Sequence, residues 1–197
     1  MVQRKKAVIF LFDTIADWET PILLTELQKN KNWTVESFSF GCKLVKALSG
    51  LTLVPDIEGD LLDASTIDLL ILPGGDLWLA PECPFPKLRE FTQKVYQSGG
   101  QVAAICGATV FLAELGLLNE TEHVSNALPF LENFSTDYTG QRFYKPGKLA
   151  HHHNKIITGS GIGAVDFAYQ VMQSIELMPH AEITKWYELF KYGKYTP

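Results

Sequence analysis

The sequence is poor in cysteine, and its few cysteines lie far apart. Its 197 residues include three of them, Cys42, Cys83 and Cys106. An odd number of isolated cysteines indicates neither a disulfide framework nor a zinc-binding motif. Any reactive thiol must therefore be identified from its own surroundings in the sequence.

Long basic runs and long apolar runs are also missing. The longest basic run is Arg4-Lys5-Lys6 and the formal net charge is −5, which disfavours nucleic acids and anionic membranes as partners. Acidic residues at Asp13, Asp17 and Glu19 interrupt the first apolar run, so neither a secretory signal nor a membrane span is predicted. We therefore expect a cytoplasmic protein that binds neither nucleic acid nor membrane.

The sequence does contain an alternation of short apolar segments with longer amphipathic ones. This pattern predicts an α/β fold with a mostly parallel sheet and helices on both faces, in a single domain over residues 1–197. Strands are predicted at residues 7–12, 33–40, 67–72, 101–105, 149–152 and 156–158, with a hairpin at 44–54. Helices are predicted at 17–28, 86–97, 128–134 and 163–177, after Cys106, and as a C-terminal extension from about 179.

Cys106 lies where a predicted central strand gives way to a helix. Ligands of open α/β sheets bind outside the carboxyl ends of the strands. A tight strand-to-helix turn needs small residues on both sides of the exposed one, here Ala104 and Ala108. The N-terminus of the following helix would favour the thiolate. The pattern predicts Cys106 as a nucleophile, and the alternative is a buried cysteine that packs as a small hydrophobe.

The turn Pro73-Gly74-Gly75 ends the neighbouring strand at the same edge of the sheet. Glycine lets backbone N–H groups come close to an oxygen that gains negative charge during a reaction. Gly75 and Gly107 are therefore candidates for an oxyanion hole. The alternative is an ordinary turn without a function.

Four segments together resemble the ThiJ/PfpI superfamily, whose members are class I glutamine amidotransferase-like domains with a flavodoxin-like, three-layer fold. The segments are ADWE at 16–19, PGGD at 73–76, AAICGA at 103–108 and KIITGSGIGAVDFAYQVM at 155–172. The resemblance covers residues 5 to about 176. The sequence is most similar to the bacterial subgroup labelled as intracellular proteases or amidases.

The resemblance implies roles for four residues. Cys106 matches the nucleophile, Glu19 the acid that hydrogen-bonds its sulfur, and Gly75 with Gly107 the oxyanion hole. A carboxyl group beside a thiolate can donate a hydrogen bond and move a proton, although an acidic residue in the first turn of a helix also stabilises the helix. The family works without metal or organic cofactor and commonly forms homodimers, for which the aromatic tail 186–195 offers apolar surface.

The sequence departs from the family pattern at two places. Peptidase members carry His directly after the cysteine, where this chain has Gly107. Alignment of HVSNAL at 123–128 places Asn126 where other members supply a His, and an amide cannot take a proton from a thiol. His123 could reach the site only if the loop is shifted, and we predict that it is an exposed loop histidine.

The other histidines and glycines have simpler interpretations. His151 and His153 should face one way and His152 the other, so at most two could bind a metal, and a solvated strand is predicted. His180 and Glu182 follow the His-x-Glu motif of the amidotransferase triad. They lie between two predicted helices, however, where helix capping is predicted. The glycine-rich segment 159–163 lacks a Walker lysine and predicts close helix-on-sheet packing.

Three functions follow from these residues. The first is an enzyme whose Cys106 attacks a small carbonyl or amide substrate, as glyoxalase-like, deglycase-like or amidase-like members do. The second is a non-catalytic redox sensor or small-molecule binder that uses the same cysteine. The third, ranked last, is a glutamine amidotransferase subunit. Specificity would lie in the loops 77–86 and 133–147.

Overall fold

A twisted seven-stranded sheet forms the centre of the fold. The computed structural model describes residues 4–41, 44–80 and 86–195. The strand order is β5-β2-β1-β6-β7-β9-β8, in which β8 is antiparallel to β9 and the other pairs are parallel. The strands are β1 (Lys5–Phe10), β2 (Trp33–Ser39), β3 (Val45–Lys46), β4 (Thr52–Leu53), β5 (Ile57–Glu58), β6 (Leu69–Leu72), β7 (Gln101–Ile105), β8 (Ala150–His153) and β9 (Ile156–Gly159).

The described residues form six α-helices. They are α1 (Pro21–Lys29), α2 (Pro86–Gln97), α3 (Ala108–Glu114), α4 (Leu128–Phe134), α5 (Ala164–Ser174) and α6 (His180–Tyr192). Helix α5 packs against both α1 and α6, and α3 packs against α4. This arrangement confirms the predicted flavodoxin-like α/β fold. None of the helices in the described ranges is both long and apolar enough to cross a bilayer.

The central strands are apolar because both of their faces are covered. Every residue of β6 is buried, and in β7 only Gln101 is partly exposed. Such unbroken apolar strands are typical of parallel sheets between two helical layers. Because these strands are parallel, their carboxyl ends lie at the same edge of the sheet.

Several element boundaries differ from the prediction. The first strand runs over residues 5–10 rather than 7–12, and the first helix begins at Pro21 rather than at Asp17. Proline suits the first turn of a helix because its missing N–H would have no partner there. Glu19 therefore lies in the turn before α1 and not in the first turn of the helix, where the alternative interpretation placed it.

The other differences concern a short strand and the end of one helix. The hairpin at 44–54 is confirmed as the antiparallel pair of β3 and β4, while β5 was not predicted. Two residues are too few to show a periodicity of two, so the sequence gives no signal for β5. The helix predicted to reach residue 177 ends at Ser174.

Candidate active site

Cys106 sits on a strained turn between β7 and α3. Its φ is 59°, in the left-handed region that a residue with a side chain rarely adopts and that costs about 1–2 kcal/mol. The Cys106 N–H donates to the Gly159 carbonyl at 2.8 Å, and its own carbonyl accepts from the Thr109 hydroxyl at 2.6 Å. These bonds hold the turn, and the side chain is half-buried at the carboxyl edge of the sheet.

The carboxyl group of Glu19 lies against the sulfur. Glu19 is 0% exposed, and its Oε2 accepts from the Gly74 N–H at 2.6 Å. A Cβ placed on Gly161 would lie 3.0 Å from Glu19 Oε1 and 2.8 Å from Cys106 Sγ, so both groups border the same small space. Oε1 has no hydrogen-bond partner within the geometric limits among the described residues. The carboxyl group is therefore anchored through one oxygen and presents the other to the sulfur.

Burial raises the pKa of both groups. Loss of hydration raises the pKa of Glu19 to about 7, against smaller lowering effects of the Gly74 N–H and of Cys106. Burial and then the Glu19 charge raise the pKa of the Cys106 thiol, while Asn126 and the Gly107 N–H lower it. The predicted stabilisation of the thiolate is therefore outweighed. Helix α3 has only seven residues, which limits its dipole.

The side-chain amide of Asn126 faces the sulfur. Its Nδ2 donates to Cys106 Sγ at 3.4 Å. Its Oδ1 accepts from the Gly161 N–H at 2.9 Å and from the Ser160 hydroxyl at 3.4 Å. Because these two donors require an oxygen opposite them, the amide orientation is fixed with its NH₂ group toward the sulfur. The structure thus places Asn126 at the site, as the alignment predicted.

Gly75 and Gly107 face each other across the edge of the sheet. A Cβ on Gly107 would lie 3.0 Å from the Gly75 carbonyl oxygen, and a Cβ on Gly75 would lie 2.3 Å from the Thr14 carbonyl oxygen. Neither position can hold a side chain without rearrangement. Across the described part of the chain, the Gly75 N–H has no hydrogen-bond acceptor. The ring of Trp78 packs beside Gly107 and donates its Nε1–H to the Pro73 carbonyl at 2.8 Å.

The prediction of an exposed His123 is wrong. His123 is 0% exposed, with Nδ1 2.6 Å from the Thr121 carbonyl and Nε2 2.8 Å from the Tyr138 hydroxyl. The carbonyl requires a proton on Nδ1, so Nε2 accepts from Tyr138. Burial lowers the pKa of His123, and both ring nitrogens are occupied away from Cys106. His123 is therefore not brought to the sulfur.

The three consecutive histidines alternate as predicted. His151 contacts the Glu122 carboxylate at 3.0 Å and His153 accepts from the Glu122 N–H at 3.3 Å, while His152 contacts Gln170. They are half-buried rather than fully solvated, because the 121–123 segment and α5 cover the edge strand β8. Within the described ranges, no cluster of three metal-ligating side chains is found.

His180 and Glu182 lie in the first turn of α6, whose N-cap is Pro179. His180 Nε2 is 2.9 Å from Gln173 Nε2, so its described contact is with α5 and not with Cys106. The predicted capping role is wrong for His180, because Pro179 occupies the cap position. Cys42 and Cys83 lie outside the described residues.

Two site residues were not predicted, Gly74 and Gly161. In the sequence, both are marked only as parts of glycine-rich turns. A Cβ at Gly74 would meet Cys106 Cβ and Glu19 Oε2, each at 2.6 Å. The predicted helix-on-sheet packing holds for Gly159 and Gly163, whose Cβ positions meet Phe167 and Leu149. Gly161 differs because its place at the sulfur depends on the path of the loop.

Comparison with known proteins shows the family of this chain. Residues 5–174 match the model of the DJ-1/PfpI family. A relative from Bacillus subtilis (strain 168), "Uncharacterized protease YoaZ", is 32% identical over 98% of this chain and 94% of its own length. The "Glutathione-independent glyoxalase DJR-1.2" of Caenorhabditis elegans is 30% identical over 67% of this chain and 68% of its own.

A solved structure extends the comparison to the fold. The crystal structure of a thiJ/pfpI family protein from Bacillus anthracis superimposes with a TM-score of 0.89 at 33% identity, covering 98% of this chain and 93% of that one. Cys106 and Glu19 both lie within the matched residues 5–174. The chain therefore belongs to the DJ-1/PfpI family.

Proposed function

We propose that this protein is a cysteine-dependent enzyme that acts on small, uncharged aldehydes such as 2-oxoaldehydes, with Cys106 as nucleophile and Glu19 as the group that moves protons. The observation that carries the proposal is the buried carboxyl group of Glu19, which has a pKa of about 7 and borders the sulfur. A general base works best when its pKa is near the operating pH. The name of the DJR-1.2 relative, a glyoxalase, supports the substrate class.

The first chemical step needs only residues of the site. The Glu19 carboxylate takes the thiol proton while Sγ bonds to the aldehyde carbon, and the electron pair of the C=O bond moves onto the oxygen. The N–H groups of Gly75 and Gly107 would hold this oxygen. Glu19 then returns the proton to the oxygen and yields a hemithioacetal. A base with the pKa of Glu19 compensates for a thiol whose own pKa is raised.

The same carboxyl group suits the next step of a glyoxalase reaction. In the hemithioacetal of a 2-oxoaldehyde, the C1 proton must move to the neighbouring carbonyl carbon and the C1 hydroxyl proton to the oxygen of that carbon, which leaves a 2-hydroxy thioester on Cys106. Water then releases a 2-hydroxy acid and restores the thiol. Glu19 would carry the C1 proton because it is anchored by Gly74 with one oxygen still free.

The other functions have less support. Amide or peptide hydrolysis is suggested by the name of the YoaZ relative, but Gly107 stands where peptidase members have His. A peroxide sensor works through a thiolate, and the raised pKa of Cys106 reduces the thiolate fraction. A glutamine amidotransferase needs a His–Glu pair at the sulfur, and His180 contacts Gln173 instead.

Turnover of methylglyoxal tests the proposal. We expect the wild-type protein to form lactate, and the variants Cys106→Ala and Glu19→Gln to lose at least about 99% of the rate, since general acid–base catalysis alone contributes about 10²–10⁴-fold. Glu26→Gln is the matched control, because Glu26 is also a buried glutamate but pairs with Lys29 on α1.

The outcomes of this experiment separate the candidates. Lactate formation that persists in Cys106→Ala contradicts the proposed nucleophile. Release of ammonia from a small amide, with no lactate formed, favours the amidase function. Loss of free thiol in dilute peroxide without turnover of either substrate favours the redox sensor.

The oligomeric state and the cellular location of the protein can be proposed as well. We propose a homodimer that buries apolar side chains of α6 and the residues after it, since Phe190, Tyr192 and Tyr195 are 48%, 59% and 78% exposed. Light scattering should give twice the mass of one chain, and Phe190→Glu should reduce it to one. A cytoplasmic location also stays a prediction, which cell fractionation tests.

A further inference from the structure

We propose that Thr109 and Ser125 are positioning residues, whose hydroxyl groups form a buried chain that fixes Asn126 relative to the backbone of Cys106. The Thr109 hydroxyl contacts the Cys106 carbonyl at 2.6 Å and the Ser125 hydroxyl at 2.7 Å. Asn126 follows Ser125 directly and donates to Cys106 Sγ. The inference deepens the proposed function, because it rests on Cys106 as the nucleophile.

The direction of this hydroxyl chain follows from the donors and acceptors. A carbonyl oxygen can only accept, so the single Thr109 hydroxyl proton points to Cys106. Thr109 must therefore accept in its contact with Ser125, which makes Ser125 the donor. Thr109 and Ser125 are 0% and 2% exposed, so water does not compete for these bonds. Removal of the Thr109 hydroxyl leaves the Ser125 hydroxyl without this acceptor, and removal of the Ser125 hydroxyl breaks the link between Thr109 and the segment of Asn126.

Asn126 needs such support because it is itself exposed. Its amide must stay within 3.4 Å of Sγ on the solvent side of the site. The residues before it are held at several points, among them the Val124 N–H, which donates to the Thr158 hydroxyl at 2.8 Å. Among these contacts, the hydrogen bond between Ser125 and Thr109 connects the segment to the Cys106 carbonyl, because Thr109 donates to that carbonyl. It therefore ties the donor to the strained turn that carries the sulfur.

This position has a chemical consequence. The Asn126 amide stabilises negative charge on the sulfur, and it opposes the effects of burial and of Glu19. If Ser125 no longer holds the segment, the amide loses alignment and the thiolate fraction at a given pH falls. The rate at which Cys106 reacts with an alkylating agent reports this fraction directly.

The experiment is alkylation of the folded full chain by iodoacetamide across pH, with Cys106 followed by mass spectrometry. We expect Ser125→Ala and Thr109→Val to move the midpoint to higher pH and to slow alkylation at pH 7.5 by about fivefold, the factor of one neutral hydrogen bond. Thr109→Ser, which keeps the hydroxyl, should restore the wild-type profile. Thr92→Val is the matched control, because the Thr92 hydroxyl on α2 is buried and has no hydrogen-bond partner among the described residues.

A second comparison shows whether Ser125 acts through Asn126. In an Asn126→Ala background, Ser125→Ala should cause no further change of the profile. The proposal is overturned if Ser125→Ala slows alkylation equally in both backgrounds, or if folded Thr109→Val keeps the wild-type profile. Because alkylation needs no turnover, a shifted profile supports these positioning roles even if no aldehyde is consumed and the proposed function fails.

Discussion

At the scale of single residues, the Cys106 thiol and the Glu19 carboxyl group border the same small space and influence each other's ionisation. Burial raises the pKa of both groups, and the Glu19 charge raises the pKa of the thiol further, whereas the hydrogen bond from Cys106 lowers the pKa of Glu19. A state in which the two groups hold one proton between them has a lower free energy than a state with two adjacent negative charges. The site therefore favours proton transfer between Glu19 and Cys106 over a stable thiolate.

The raised pKa of Glu19 predicts a pH-dependent gain in stability for Glu19→Gln. Its folded-state pKa of about 7 lies above the ordinary 4.5, so its stabilising contribution is complete below pH 4.5 and is lost as pH rises through 7. Glutamine stays neutral throughout. The free energy of unfolding of Glu19→Gln relative to wild type should therefore rise by up to about 3 kcal/mol between pH 4.5 and pH 9.

Urea denaturation of both proteins at the two pH values measures this difference. The Gly74 N–H can still donate to the glutamine side-chain oxygen, so the anchor is kept. An effect of Glu19→Gln that is the same at pH 4.5 and at pH 9 would show that the carboxyl group titrates normally in the folded protein.

A methyl group at Gly161 should block the sulfur. The added Cβ would lie 2.8 Å from Cys106 Sγ, closer than unstrained contacts allow. Overpacking of this kind costs about 1–3 kcal/mol, so we expect Gly161→Ala to alkylate at least about tenfold more slowly. Gly59→Ala is the control, since its Cβ would meet only the Phe40 ring, away from the site. Equal alkylation rates in folded Gly161→Ala and wild type would contradict the described packing.

At the scale of elements, the C-terminal helix is attached to α5 by a polar cluster. The Tyr187 hydroxyl donates to Asp166 at 2.7 Å and Lys191 contacts the same carboxylate at 2.6 Å. Tyr187 also stacks on Tyr169. The N-terminal turn of α5 thus holds the middle and the end of α6.

Loss of one of these bonds should loosen α6 without affecting the site. Tyr187→Phe keeps the ring but removes the donor, which should destabilise the protein by about 1 kcal/mol. Hydrogen exchange should become faster in α6 and stay unchanged in β7. Tyr195→Phe serves as the control because Tyr195 is largely exposed. Unchanged exchange in α6 would show that the polar cluster contributes little to its attachment.

The helices and strands were largely predictable because their apolar periodicity is local. The buried strands β6 and β7 and the long helices follow from runs of apolar residues and from their proline and glycine boundaries. The burial of His123 was not predictable, because it depends on Tyr138, which is 15 residues away. The pKa of Cys106 was not predictable for a similar reason, since burial outweighs the local helix terminus.

At the scale of the whole molecule, the sheet order assembles the site from four distant segments. Strands β1, β6, β7 and β9 are neighbours, and their carboxyl ends lead to Glu19, Gly74, Cys106 and Gly161. Parallel strands place these ends on one edge of the sheet. The sequence predicted Cys106 and Glu19 because motifs mark them. Gly161 lies in a glycine-rich segment for which helix-on-sheet packing was predicted, and the path of the loop between β9 and α5 places it at the sulfur.

The most direct test of the central claim is the pH dependence of Cys106 alkylation in wild type and in Glu19→Gln. We expect a wild-type midpoint above the ordinary thiol pKa, an inflection near pH 7 from Glu19, and a lower midpoint without that inflection in Glu19→Gln. Superimposable profiles with the midpoint of a free cysteine would contradict the coupling of Glu19 to Cys106.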